Sequence, residues 1–233
     1  MTNEKMLASV MSIVTYFDTE ERERFDFVVS KREDFSALTD VPAKLAEVVK
    51  QLREDIGKEE AKKSGRASQL SAAKRILKSA IKTNKEALTY AATQSDKQCV
   101  CDGYRVVRLV NPLALPTLPD GMEYMDISKV VVKGYDMEEI ELPNMAKLSA
   151  YIKTYKAEHK NNKEAPRFDL GEDWQIVNAQ YLLDMMILLP NAKAYATKGK
   201  SVSMIYFEDE EGNDGALCSV RVKDGEVRQR TEV

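Results

Sequence analysis

Twice along this chain an apolar stripe at helical spacing is followed by three short segments bounded by turn residues. That doubled order constrains the fold more than any bulk property. In the first instance Leu70, Ala73, Leu77, Ala80 and Ile81 line one side of a helix expected over Ser68–Lys82. The segments Ala87–Thr93, Gln98–Cys101 and Arg105–Val110 follow, divided by the turn signals Ser95-Asp96 and Asp102-Gly103. In the second instance Asn178 caps a helix running through Leu189, with Tyr181, Leu182, Met185, Leu188 and Leu189 as its stripe. Strands are expected at Ala192–Thr197, Ser201–Glu208 and Ala216–Val222, with Gly212–Gly215 as a hairpin tip. An α+β fold with helices on one face of antiparallel sheets follows, built from repeated helix-plus-sheet units.

Ahead of the first unit, Leu7, Val10, Met11, Val14 and Phe17 predict a helix, and a longer one begins at Asp40 with Pro42 in its first turn. Leu45, Val48, Val49, Leu52 and Ile56 form its stripe, and Ser64-Gly65 supplies the stop. Between the two units lie a Pro-rich connection from Asn111 to Gly121 and strands at Ile127–Val132 and Glu139–Leu142. After them come a helix from Pro143-Asn144 to about Glu158, a polar loop from His159 to Pro166, and paired strands Arg167–Leu170 and Trp174–Val177. The expected organisation is a helical extension over 1–65, an α+β domain over 66–223 and a tail over 224–233.

Charge is unevenly placed. The chain of 233 residues has a net charge of −3, which excludes a uniformly basic molecule but permits a local basic face. Residues 1–65 hold 11 basic and 14 acidic side chains, residues 66–110 hold 9 and 3, and residues 111–233 hold 15 and 21. From Arg66 to Lys85 there is no acid at all. Within this stretch Lys74, Lys78 and Lys82 recur every four residues, forming a stripe beside the buried side of the helix. An unmixed stripe of this kind suits contact with phosphates without reading bases, and equally suits a solvated helix side.

Catalytic chemistry is thinly supplied. His159 is the sole histidine and sits among Lys and Asn, which reads as a solvated loop side chain and removes His-based triads and His-rich metal sites. Cys99 and Cys101 alternate along a strand and read as small buried residues. No phosphate-binding Gly-rich loop is present. The acidic run Glu208–Glu211 reads as a charged hairpin tip. A non-enzymatic protein is expected, with no cofactor and no metal. Three cysteines point to a reducing, cytoplasmic setting. No run of roughly 18 apolar residues predicts a membrane span, and Met1–Met6 lacks the plan of a signal peptide.

Several segments together resemble the bacterial DNA polymerase sliding clamp (beta subunit) family. Asp102-Gly103-Tyr104-Arg105-Val106 resembles the Asp-Gly-His-Arg-Leu turn of the clamp's middle domain, and Ile140-Glu141-Leu142-Pro143 before the helix with Leu148 resembles its strand-Pro-helix step. Asn178–Asp184 is similar to the clamp's last long helix. Ser201-Val202-Ser203, Phe207-Glu208-Asp209 and Cys218–Val222 continue the match in chain order over about 66–222. The resemblance implies repeated α+β units with basic helices toward duplex DNA, so that Lys74, Lys78 and Lys82 would contact the backbone. It also implies a pocket for a short peptide from a DNA polymerase or similar partner. Gly103, Tyr104, Arg105, Val106, Pro143, Met204, Val220, Arg221 and Val222 would build it, with an apolar floor and Arg and Tyr at its rim.

The chain departs from the family in several places. Tyr104 replaces His, Cys218-Ser219-Val220 replaces Met-Pro-Met, and the chain continues past the final strand. A clamp protomer has three domains, against one to one and a half equivalents here, so a ring would need further subunits as a homo-oligomer. A truncated relative, such as a mobile-element protein, would keep the fold without encircling DNA. The expected function is therefore a clamp-like, non-enzymatic role in DNA replication or maintenance. The other reading is an adaptor that binds proteins through the same fold without DNA.

Overall fold

In the computed structural model, residues 2–17, 41–81, 85–160, 165–200 and 202–221 are described. Lys82, Ser201, Val222 and the expected tail over 224–233 lie outside them. The chain divides into two compact units, Met1–Ala67 and Ser68–Val233. Among the described residues no helix is long and apolar enough to cross a membrane.

In the first unit α1 (Asn3–Phe17) and α2 (Val41–Lys63) pack as an antiparallel pair. The Asn3 side-chain amide donates to Glu59 (3.1 Å), and the Arg53 guanidinium reaches the Met11 sulfur (3.8 Å). Leu7, Val10, Met11 and Val14 are half-buried as their spacing predicts, and Val49, Leu52 and Ala61 are buried opposite them. Val48 is the exception in the α2 stripe. At 43% exposed it points outward, because Leu45, Val49, Leu52 and Ile56 already fill a seam at alternating spacings of four and three. Helix α2 closes with the Arg66 N–H on the Ala61 carbonyl and the Gly65 N–H on the Lys62 carbonyl, the paired bonds of a Schellman end at the expected stop.

The second unit is a mixed α+β body built on one antiparallel sheet of seven strands. Its strands are β1 (Ala92–Gln94), β2 (Lys97–Cys101), β3 (Arg105–Leu109), β4 (Met137–Ile140), β7 (Lys193–Thr197), β8 (Met204–Glu208) and β9 (Asp214–Cys218). Their spatial order is β1-β2-β3-β9-β8-β7-β4. The expected strands Gln98–Cys101 and Arg105–Val110 are present, but the expected segment Ala87–Thr93 is largely a 3-10 turn over Glu86–Thr89, with strand only from Ala92. The later run of three strands is present with shifted ends, and the two sets join along β3 and β9, with Val106 opposite Ala216 and Arg105 opposite Leu217. A separate two-stranded ribbon pairs β5 (Arg167–Asp169) with β6 (Ile176–Asn178).

Helices cover one side of the sheet. Helix α5 (Ala179–Leu188) is capped by the Asn178 side chain, which accepts from the Gln180 and Tyr181 N–H groups. It lies under β3 and β9, and its apolar residues Leu182, Met185 and Leu188 are almost wholly buried. Helix α3 (Ala67–Ala80) runs antiparallel beside α5. Its Gln69 reaches the Leu188 carbonyl, its Arg75 reaches Asp184, and its Ser79 hydroxyl approaches that of Tyr181. On the other side lies α4 (Met145–Glu158), begun by Asn144 as its cap and joined to α5 through Lys156 and Gln180.

The opposite side of the sheet is covered by the connection between β3 and β4. Here the expected strand Ile127–Val132 is instead a 3-10 turn over Ile127–Lys129, capped by Asp126. Its apolar residues do not alternate to fill a ladder. Ile127 and Val131, four apart, both insert against Cys99, Cys101, Val106, Tyr206 and Ala216. The final strand also differs from expectation, ending at Cys218. The Val220 N–H leaves the sheet to bond the Ile176 carbonyl. Strand β9 likewise begins earlier than expected, because Asp214 is held in the ladder by Arg108 (2.6 Å) and Lys97 (2.8 Å).

Candidate functional site

The helical side of the second unit is where charge collects. Helices α3, α4 and α5 carry Lys74, Arg75, Lys78, Lys147, Lys153 and Lys156 against Glu158 and Asp184. Asp184 is fully buried and already held by two arginines. On α3 the residues Leu70, Ala73, Ile76, Leu77 and Ala80 turn inward, with Ile76 in place of the expected Ile81, which is exposed just past the helix end; this leaves Lys78 exposed and Lys74 half-buried at the edge. On α4 Leu148 and Ile152 are buried, and Lys147 and Lys153 are exposed on the outward side. The acids of this unit gather elsewhere, at Glu138 and Glu139 on the edge strand β4 and at Asp209–Glu211 on the β8–β9 tip.

Between α3, the C-terminal end of α4 and the start of α5 lies a cavity of about 520 Å³. Its inner wall is a buried ion network. Arg105 is 3% exposed, and its guanidinium bonds Asp102 (3.0 Å) and Asp184 (2.5 Å). Arg75 completes the set on Asp184 from α3 (2.9 Å), and the Arg105 guanidinium lies 4.0 Å over the Tyr181 ring. The mouth carries Lys78 and Lys160, neither of which pairs with a described carboxylate, together with Lys156. Tyr155 and His159 stack in the same wall at 4.2 Å and 15°. They are four residues apart on α4 and its cap, so their rings fall on one side.

The residues expected to form a peptide pocket divide into groups. Gly103 and Tyr104 make the two-residue turn between β2 and β3. Gly103 holds φ +90°, a conformation that favours glycine, and Asp102 accepts from the Tyr104 and Arg105 N–H groups. Tyr104 is 54% exposed, and its carbonyl accepts from the Cys218 N–H. Met204 pairs with Cys218, so Gly103, Tyr104, Met204, Val220 and Arg221 gather near one end of the strands. Val106 is buried in the sheet. Arg105 is not at a rim, because the two buried carboxylates draw its guanidinium to the helical side. Nor is Pro143 brought to this cluster. It follows Ile140, whose register through Ala194, Phe207 and Gly215 reaches Val107 in the middle of β3, four strands across, and from Ile140 the chain runs on away from the Gly103-Tyr104 turn.

Lys74 and Lys78 do share one helix, as expected, with Lys82 outside the described residues. Arg75, Lys147, Lys153, Lys156 and Lys160 are not singled out by the sequence, whereas His159 is exposed just past the end of α4, as its reading as a solvated side chain expects. The Lys153, Lys156 and Lys160 spacing was a readable signal; the Arg75–Asp184 pair, 109 residues apart, was not. Cys99 and Cys101 are buried as expected. Burial pushes the Cys101 thiol up to about 11, so it stays protonated and unreactive at neutral pH. Among the described residues no group of three or more His, Cys, Asp or Glu side chains could hold a metal ion. No known family, curated protein or solved structure matches the chain.

Proposed function

We propose that the second unit binds the phosphate backbone of duplex DNA through its helical side, without catalysis and without reading sequence. The observation that carries this is the excess of Lys and Arg on α3 and α4, where Glu158 is the sole acid on those helices. Side chains of one sign spread over two helices meet a polyanion by releasing its counterions. The one arginine among them, Arg75, spends its guanidinium on Asp184, and the lysines are point charges without a planar donor pair for base edges, so affinity comes without specificity.

The likeness of the Asp102–Val106, Ile140–Pro143 and Asn178–Asp184 segments to sliding clamps supports the same side as the one toward DNA, because clamps present their helices there. A role in DNA replication or maintenance follows from that likeness and rests on those motifs alone.

The experiment is titration of a short labelled duplex with the full chain and with a variant in which Lys74, Lys78, Lys147 and Lys153 become Glu. The parent is expected to bind at low salt and the variant to lose about tenfold or more. Equal binding by the two removes this reading.

A further inference from the structure

We infer that the cavity between α3, α4 and α5 is a binding site for a nucleoside phosphate. Its volume of about 520 Å³ lies within the range of small-molecule sites, far above what one inorganic anion fills. Five permanent cations, Arg75, Lys78, Arg105, Lys156 and Lys160, line it against the single carboxylate of Asp184. That carboxylate is occupied on both oxygens, by Arg75 and by Arg105. Lys78 and Lys160 at the mouth are therefore available to an incoming anion, and the start of α5 adds the positive end of a helix dipole in the same wall.

Cations alone would suit any anion, and the aromatic groups narrow the class. Tyr155 and His159 form a stacked pair in the lining, and Tyr181 lines the same cavity with the Arg105 guanidinium on its ring. A flat heterocycle stacks on such rings without regard to its identity, and a phosphate attached to it can reach the lysines. The Arg105 guanidinium is fixed by Asp102, Asp184 and Tyr181, so this wall is formed before a ligand arrives and less ordering is needed on binding. The site is separate from the outward lysines Lys147 and Lys153, and it does not depend on the duplex reading.

The test is calorimetric titration of the full chain with adenosine 5′-monophosphate, inorganic phosphate and adenosine, with amide and ring resonances followed in parallel. The nucleotide is expected to bind saturably and about tenfold or more tighter than either fragment, with shifts at Gln180, Tyr181 and His159. Lys160→Gln and His159→Ala both alter exposed positions, so folding is not at stake. The first should weaken the nucleotide and phosphate together, and the second should weaken the nucleotide alone. Lys147→Glu with Lys153→Glu should leave nucleotide binding unchanged while weakening duplex binding, which separates this site from the backbone contact. Equal affinity for nucleotide and inorganic phosphate, shifts outside the cavity, or full binding by both pocket variants would overturn the assignment.

Discussion

Arg105 shows how one residue can look like a ligand contact in sequence and act as a keystone in the fold. It follows a tight turn, where an exposed rim position was expected, yet strand alternation points it into the helical side beside Asp184. Burying an arginine is costly unless its donors are used. Here Asp102 and Asp184, both fully buried, take them, and Tyr181 covers the guanidinium face. Removing the arginine would leave two buried carboxylates short of a counter-charge, with Arg75 and the Gln180 amide left on Asp184. Arg105→Met is therefore expected to lower stability by about 3 to 5 kcal/mol. Urea unfolding checks this, and a loss below about 1 kcal/mol, the scale of an exposed ion pair, would contradict the buried network.

At the scale of elements, the sheet and α5 approach each other through a gap in side-chain volume at Gly215. A methyl group there would lie 2.6 Å from the Val106 carbonyl oxygen and 2.8 Å from the Met185 methyl carbon. The methionine can move, but the oxygen belongs to the neighbouring strand of the ladder. Gly215→Ala is expected to destabilise by about 1 to 3 kcal/mol through overpacking, read as a lower thermal midpoint with the same secondary structure. The spacing of residues along the chain does not reveal this contact, since Gly215 reads as part of a hairpin tip. Helices were more legible than strands, because their periodic stripes and the caps at Asn144 and Asn178 are local signals. Ile127–Val132 failed as a strand for a related reason. A short β-branched run says that it will be buried, while the neighbouring sheet decides whether it pairs or plugs. The pocket wall was least legible, as Arg75, Arg105 and Asp184 meet from three distant segments.

At the scale of the whole molecule the net charge of −3 conceals a division of labour. The second unit places its cations on the helical layer and many of its acids on the edge strand and the β8–β9 tip, so an approaching polyanion is attracted to one side and repelled by others. If Lys74, Lys78, Lys147 and Lys153 each neutralise one phosphate, the logarithm of the duplex affinity should fall with the logarithm of salt concentration at a slope of about −3 to −4. Removing Lys147 and Lys153 together should bring the slope to about −2, because two of the four contacts are gone. Lys160→Gln, at the mouth of the cavity, should leave it near the parent value. A parent slope near zero would mean that the duplex, if it binds, is held by something other than this helical layer. A slope unchanged in the double variant would place the contact on α3 and leave α4 outside it.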